Sequence, residues 1–139
     1  MASRDPLDLS PAMRDLYHKH MEALSNDILL RSRGVHVFLT CTYRSAEEQA
    51  ELYAHGRTAP GPIVTNAKPG QSKHNAVDVF DHPSAEAYDV AILENGKLVW
   101  DDHPAWQIIG QHGMAVGLKW YGAPGAPFKE MPHFQNPEA

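Results

Sequence analysis

The chain has 139 residues, of which 42% are hydrophobic and 21% charged, a composition typical of one folded domain with a modest core. Its 12 basic and 17 acidic residues give a formal charge of −5 with no basic cluster, which argues against nucleic acid as the main partner. No apolar run approaches the roughly 20 residues that span a bilayer, so stable membrane insertion is not expected.

The N-terminal residues MASRDPLDLSPAMRD lack the pattern of a secretory signal. We therefore expect synthesis in the cytoplasm, with any action outside the cell following release by another route. A single cysteine, Cys41, excludes an internal disulfide and a cysteine-rich zinc site. Its apolar surroundings, VHVFLTCTY, predict a buried and unreactive thiol. Nine histidines are many for this length; His18 and His20, in a polar helical stretch, are expected to have no special role.

The first half of the chain alternates helix and strand signals. Ser-Pro at residues 10–11, followed by apolar residues at helical spacing, predicts a helix over residues 11–25. The run GVHVFLTCTY at 34–43 predicts a buried strand. A capping box over residues 45–48 predicts a second helix that ends at Gly56. The segment RTAPGPIVTNAKPGQ then predicts a long loop, and such loops tend to be functional.

The second half is dominated by a hairpin signal. Asn-Gly at residues 95–96, inside EAYDVAILENGKLVWDD, is the preferred two-residue hairpin turn. Pro104 predicts the start of a helix that ends at Gly117. The tail GLKWYGAPGAPFKEMPHFQNPEA, rich in proline and glycine, is predicted to be irregular. Together these signals predict a single α+β domain over residues 1–139, with a small antiparallel sheet and flanking helices.

One stretch, QSKHNAVDVFDHPSAEAYDV, contains His74 and three aspartates that could share a metal ion with it. Zinc holds its ligands at about 2.0–2.2 Å, so their backbones must lie close together. In a strand, four residues span roughly 13 Å, which separates Asp78 from His74, and the odd offset of Asp81 turns it to the opposite face. Asp89 lies in the predicted hairpin between small neighbours, and a loop can bring His74 beside it. Asp89 is therefore the preferred partner, and Asp78 remains the alternative.

Four segments carry a resemblance to a known family. TYRSAEEQAELYAHGR, TNAKPGQSKHN, AEAYDVAI and PHFQ occur in the order seen in the D-Ala-D-Ala carboxypeptidase and L-alanyl-D-glutamate endopeptidase family of zinc peptidases. That family includes many phage endolysins and shares its fold with the Hedgehog signalling domain. Its motifs S-x-H, A-x-D and E/D-x-x-H correspond to residues 72–74, 87–89 and 130–133. Here the first spacer is longer, as if AVDVFDHPS were inserted.

The resemblance implies a Hedgehog/DD-peptidase-like fold and a zinc ion held by His74, Asp89 and His133. Two imidazoles and one carboxylate leave a coordination position open, as catalytic zinc sites do. Glu130 is implied as the general base, a role typically worth about 10²–10⁴-fold in rate. Arg44 is implied to present its guanidinium to a substrate carboxylate or to the developing oxyanion. For the arginine, a salt bridge to one of the glutamates that follow it is the structural alternative.

Gln49 is a candidate for substrate binding with weaker support, and Ser72 suits a hydrogen bond either to the substrate or to a metal-binding residue. Trp120 and Tyr121 could line the cleft or simply pack. The resemblance implies a peptidase acting on peptidoglycan stem peptides, with the L-Ala–D-Glu bond as the first choice. As a monomeric phage or prophage endolysin without a wall-binding module, it would need a holin to reach the wall. Two alternatives stay open: cleavage of terminal D-Ala-D-Ala, and a non-catalytic zinc-stabilised domain that binds the wall or a protein. Retention of Glu130 argues against the second.

Overall fold

The computed structural model describes residues 2–99, 102–126 and 129–138; Trp100 and Asp101, in the last part of the predicted hairpin, lie outside them. The helices in this part of the chain are α1 (Pro11–Ser25), α2 (Ile28–Ser32), α3 (Ala46–Ala54) and α4 (Ala105–Ala115), with 3-10 helices at Pro6–Asp8 and Lys73–Asn75. The strands are β1 (Val35–Cys41), β2 (Ala87–Glu94), β3 (Lys97–Val99), β4 (Lys119–Trp120) and β5 (His133–Gln135). None of the described helices combines the length and the apolar character needed to cross a membrane.

Two helix starts, those of α1 and α3, follow the capping signals of the sequence. Ser10 accepts a hydrogen bond from the Met13 amide at 3.2 Å, which confirms the predicted start and the helix over 11–25. In α3 the capping box is complete: Ser45 Oγ accepts from the Glu48 amide, and Glu48 Oε1 accepts from the Ser45 amide, both at 3.1 Å. This helix ends at Ala54, two residues before the predicted stop.

The described strands form one antiparallel sheet in which β2 is central. The order is β1-β2-β5-β4, and β3 pairs with the far end of β2. Asn95 and Gly96 join β2 to β3 with φ values of 51° and 81°, the left-handed conformation that a type I′ turn requires. These features confirm the predicted hairpin and the α+β class.

The core lies between this sheet and the helices α1 and α4. Tyr88, Val90 and Ile92 alternate along β2 and are almost completely buried, as strand periodicity requires for one face of a sheet. On α4, Gly110 lies against the Trp120 ring, where even a methyl group would clash. The helix therefore packs closely on the C-terminal strands β4 and β5.

The tail differs from its prediction because two short strands lie within it. β4 and β5 pair with each other, and β5 also pairs with β2. Neither strand has the length or alternation that a pattern search detects, since two or three residues cannot establish a period. Tertiary pairing with the central strand decides their conformation.

His20, expected to have no special role on a polar helical stretch, is instead fully buried between α1, β2 and α4. Its Nε2 donates to the Ile109 carbonyl at 2.9 Å, so Nδ1 accepts from the Tyr88 hydroxyl at 2.6 Å. Burial lowers the pKa of His20 to about 4. It is therefore a neutral core residue that ties the central strand to two helices.

Candidate active site

Strand register places Asp89 beside His133. The two residues are direct partners across the antiparallel pair β2–β5. Directly opposite residues in such a pair have neighbouring side chains on one face of the sheet. His133 Nδ1 lies 3.0 Å from Asp89 Oδ1. The short strand β5, which the sequence did not predict, therefore brings the late histidine to the hairpin carboxylate.

His74 reaches the same place from a loop, and hydrogen bonds fix its 3-10 helix to the chain segment that follows β1. His74 Nδ1 donates to the Thr42 carbonyl at 2.7 Å, and the Arg44 amide donates to the His74 carbonyl at 2.9 Å. Asn75 Nδ2 adds a bond to the Arg44 carbonyl at 2.7 Å. Because the end of β1 pairs with β2 at Asp89, this attachment carries the histidine to the carboxylate.

The three predicted metal-binding residues thus converge on one carboxylate oxygen. His74 Nε2 lies 3.2 Å and His133 Nδ1 3.0 Å from Asp89 Oδ1. Ligand atoms held at 2.0–2.1 Å around a tetrahedral zinc ion are separated by about 3.3 Å, close to these spacings. The His74 nitrogen that faces Asp89 is the one left free by the bond to the Thr42 carbonyl, so it can offer a lone pair. The donor set fits zinc in both chemistry and spacing.

The electrostatics of this cluster favour a positive charge between the side chains. Burial alone would lower the pKa of His74, but the Asp89 carboxylate outweighs it and raises the pKa to about 10. The pKa of Asp89 falls well below its usual range because the attraction of His74 and the hydrogen bonds from both histidines exceed the cost of burial. A proton or a metal ion can supply that positive charge, and zinc binding requires the imidazoles to be neutral.

Cys41 is a further candidate ligand that the sequence analysis did not consider. Its thiol is buried, as predicted, and one atom each of Cys41, His74 and Asp89 lie within 4.8 Å of one another. However, Sγ is 3.5 Å from His74 Nδ1, the nitrogen already committed to the shorter bond with the Thr42 carbonyl. A metal ion held by Nε2 lies on the other side of the ring. We therefore favour the set with two histidines.

The Arg44 and Gln49 side chains are hydrogen-bonded to each other at the edge of the site. Arg44 Nη1 donates to Gln49 Oε1 at 3.0 Å, and Nη2 lies 4.0 Å from Asp89 Oδ2. Gln49 is fully buried, and its Nε2 donates to the Ala67 carbonyl at 2.8 Å. The guanidinium therefore faces the site, whereas the glutamine lies behind it and contacts the long loop.

Glu130 is held next to His133 by backbone hydrogen bonds. Its amide donates to the Tyr121 carbonyl at 3.0 Å, and its carbonyl accepts from the His133 amide at 3.2 Å. Its Oε2 lies 3.9 Å from His133 Nδ1. Burial raises the pKa of Glu130, and the nearby Asp89 carboxylate acts in the same direction, against the opposing effect of His133. A carboxylate with a raised pKa is suited to accept a proton near neutral pH.

Two cavities of about 340 and 400 Å³ meet at the site and share Asp89, Glu130 and His133. The first is lined further by Asp102, Trp106, Lys129, Met131 and Pro132. The second is lined by the loop after α3 and by Arg44, Ser72 and Tyr121, among others. We call the combined space the groove. Of the two aromatic candidates, Tyr121 lines the groove, whereas Trp120 is buried against Phe134.

The alternative ligand Asp78 lies on the inserted segment and is exposed. Its Oδ1 accepts hydrogen bonds from the Phe80 and His82 amides at 2.8 and 3.0 Å, so the carboxylate closes a turn of its own loop. Asp81, also exposed, occupies the same turn with a positive φ of 63°. Both aspartates are thus loop residues of the insertion.

Comparison with known proteins connects this geometry to a family. The VanY family, described as D-alanyl-D-alanine carboxypeptidase, matches residues 11–124, which include His74 and Asp89. The peptidoglycan L-alanyl-D-glutamate endopeptidase CwlK of Bacillus subtilis (strain 168) is 30% identical over 139 residues, covering 94% of this chain and 74% of CwlK. The solved structure of VanYB in complex with D-alanine-D-alanine matches with a TM-score of 0.58 at 15% identity, covering 92% of this chain and 71% of that chain. The structural likeness confirms the predicted DD-peptidase-like fold.

Proposed function

This chain belongs to the VanY D-alanyl-D-alanine carboxypeptidase family, and on that premise we propose that it is a zinc-dependent endopeptidase that cleaves the L-Ala–D-Glu bond of peptidoglycan stem peptides. One observation supports the chemistry above all others. His74 and His133 each place a ring nitrogen within 3.2 Å of one Asp89 oxygen at the meeting point of two cavities. That is the arrangement of two histidines and one carboxylate expected of a catalytic zinc site.

Each residue of the site has a chemical task in this proposal. Held by His74, Asp89 and His133, a zinc ion would supply a Lewis acid able to polarise the scissile carbonyl and to make water nucleophilic at neutral pH. Glu130 takes a proton from the attacking water and passes it to the leaving amine. Arg44 directs its guanidinium into the groove, where it can stabilise the developing oxyanion or bind a substrate carboxylate. Ser72, which also lines the groove, can offer its hydroxyl to the peptide.

The shape of the groove favours an endopeptidase. Apart from their three shared residues, the two cavities have separate linings, so space extends from the site in two directions. A substrate cleaved within its chain needs room on both sides of the scissile bond. The name of the relative CwlK agrees with this specificity. The second candidate, removal of a terminal D-Ala, is favoured by the description of the family and by a cation, Arg44, that could bind a terminal carboxylate.

The decisive variant is Glu130→Gln, which keeps the shape of the side chain and removes the base. We expect the rate of peptide cleavage to fall by about 10²–10⁴-fold, because proton transfer is lost while the metal-binding set is retained. The assay is fragment release from purified peptidoglycan by zinc-loaded protein, with zinc content measured in parallel. Glu138→Gln, at an exposed tail position, is the matched control. Full activity of Glu130→Gln with bound zinc would disprove the assigned role.

Mass spectrometry of the released fragments reads the cleaved bond directly. New N-terminal D-Glu supports the L-Ala–D-Glu specificity, whereas free D-Ala supports the carboxypeptidase alternative. If zinc-loaded wild-type protein binds walls and releases no fragments, the non-catalytic binding domain is the correct function.

We also propose the biological role of a phage or prophage endolysin that acts as a monomer after release from the cytoplasm. This part of the proposal is supported by the sequence resemblance. Expression in a bacterial host with and without a co-expressed holin tests it. Lysis that depends on both proteins supports the role. The role is contradicted if the enzyme degrades isolated walls of the host but the two proteins together do not lyse the cells.

A further inference from the structure

We infer that Gln135 is a positioning residue that decides which nitrogen of His133 is offered to a metal ion. The inference rests on the proposed zinc function and goes beyond it, because neither the sequence motifs nor the comparisons give this glutamine a role. It follows from strand register, burial and the hydrogen bonds of the two histidines.

Strand geometry places Gln135 beside His133 on one face of β5. Side chains two residues apart on a strand point to the same side. Across the ladder, His133 faces Asp89 and Gln135 faces Ala87. Ala87 is completely buried and ends at a methyl group, so it leaves room for the longer amide on the same face. Gln135 is largely buried where it lines the groove, so little of its amide is open to competing water.

The hydrogen bonds of His133 define its protonation pattern. Nε2 lies 2.9 Å from Gln135 Oε1, and Nδ1 lies 3.0 Å from Asp89 Oδ1. A neutral imidazole has one N–H and one lone pair. In the charged ring both nitrogens donate, Nδ1 to Asp89; in the neutral ring, with Nε2 donating to the amide oxygen, Nδ1 keeps a lone pair that faces the carboxylate. Gln135 thus selects the tautomer in which His133 can act as a ligand through Nδ1.

His74 also presents a ring nitrogen to Asp89, but a backbone carbonyl selects its tautomer. Its Nδ1 donates to the Thr42 backbone carbonyl, so Nε2 is free to face Asp89. The two rings therefore use opposite nitrogens, one selected by the backbone and the other by a side chain. Only the second can be removed by a point mutation without disturbing the main chain.

Loss of the amide oxygen should reverse the tautomer of His133. A buried N–H without an acceptor is costly, whereas a proton on Nδ1 could donate to the Asp89 carboxylate in a charge-assisted hydrogen bond. That proton would occupy the lone pair a metal ion requires. The His133 ring would keep its position, because Tyr121 packs edge-on against it with ring centroids 4.8 Å apart. Weaker metal binding with an unchanged fold is therefore the expected consequence.

The test measures the zinc dissociation constant by competition with a chromophoric chelator. We expect Gln135→Leu to weaken zinc binding by about 10–100-fold, the usual effect of removing a partner that orients a ligand. Gln135→Glu, which keeps an acceptor at the same reach, should bind zinc at least as tightly as the wild type. Gln107→Leu, the same change at an exposed position of α4, is the matched control and should leave the affinity unaltered.

A second readout is independent of affinity. In metal-free protein, ¹⁵N NMR of the histidine rings should show the His133 proton at Nε2 in the wild type and at Nδ1 in Gln135→Leu. If Gln135→Leu does not fold, Gln135→Asn replaces it, since its amide is one methylene too short to reach the ring.

The outcomes separate the two proposals. Zinc affinity within twofold of the wild type in the folded Leu or Asn variant overturns the inference and leaves the zinc peptidase standing. A wild-type protein that binds no zinc overturns both. Weakened binding in the Leu or Asn variant, restored in the Glu variant, supports the inference.

Discussion

The two walls of the groove are built in different ways. One wall is the sheet, where Asp89 and His133 are partners in a hydrogen-bonded ladder. The other is the loop over residues 57–72, which is attached to α3 by side chains. Gln49 of α3 donates to the Ala67 carbonyl at 2.8 Å. Arg57 donates both to the Tyr53 carbonyl of α3 at 2.7 Å and to the Thr65 carbonyl within the loop at 3.1 Å.

This difference in construction suggests that the two walls have different functions. A residue in a ladder cannot move without breaking backbone hydrogen bonds or changing register, so the proposed ligand atoms on the sheet wall are held within the narrow tolerance that a metal site needs. A loop held by a few side-chain bonds can adapt to a bound peptide. We therefore expect changes on the sheet wall to affect metal binding and chemistry, and changes on the loop wall to affect substrate affinity. His74 belongs to both, because it lies at the end of the loop and is fixed to the chain beyond β1.

The largest effect should come from removing the charge on the sheet wall. Asp89→Asn should weaken zinc binding by more than about 100-fold, because partners that merely orient ligands are already worth 10–100-fold. Asp78→Asn, in the insertion, is the control and should bind zinc like the wild type. The reverse pattern, measured by chelator competition, would transfer the ligand role to Asp78.

The stability of the sheet should also depend on pH, because the buried His20 packs against its central strand. His20, which supports β2 through Tyr88, has a folded-state pKa of about 4 against an ordinary value of 6.5. The folded protein thus binds fewer protons than the unfolded chain between these values. The contribution of His20 to the free energy of unfolding is fully present above pH 6.5 and is lost as the pH falls towards 4, by about 2 kcal/mol at pH 5.

Urea unfolding of zinc-free protein at pH 7.5 and pH 5 measures this loss as the difference between variants, because the opposite pH dependence from His74 is common to them. Between pH 7.5 and pH 5, His20→Gln should lose about 2 kcal/mol less stability than the wild type, whereas His82→Gln, at an exposed histidine, should match the wild type. Equal pH dependence in the wild type and His20→Gln would show that His20 is not buried in the neutral form.

A smaller effect is expected on the loop wall. Gln49→Glu keeps an acceptor for Arg44 but removes the amide donor to the Ala67 carbonyl and the Thr65 hydroxyl, so it loosens the attachment of the loop. Losing these hydrogen bonds should raise KM by about 3–10-fold with kcat nearly unchanged. Gln49→Met removes both contacts and should lower kcat as well. Equal effects of the two variants on kcat would contradict the separation of the walls.

The smallest effect should come from the insertion. Val79 and Phe80 are 94% and 77% exposed at the tip of its turn, and neither lines the groove. Replacing both with serine should leave cleavage and zinc affinity unchanged within about twofold, as is usual for exposed positions away from a site. A large loss of activity on intact peptidoglycan would show that the insertion takes part in substrate binding.

Only part of the candidate site could be predicted from residue patterns in the sequence. Strand periodicity and the Asn-Gly turn were enough to prefer Asp89 over the nearer aspartates, because spacing along an extended chain is fixed by covalent geometry. That His133 lies beside Asp89 could be predicted only from the family resemblance. Nothing local in PHFQ predicts a three-residue strand, and nothing in the spacing reveals that Gln135 faces the ring of His133.

By itself, the sequence determined the starts of α1 and α3, the hairpin and the α+β class, because caps, turns and hydrophobic periodicity act over a few neighbouring residues. The tertiary structure alone decided the pairing of β5 with β2, the burial of His20 and the place of Gln49 behind Arg44. Each of these depends on contacts between segments far apart in the chain. Their free energy comes from shared burial and completed hydrogen bonds, which no single segment carries in its own pattern.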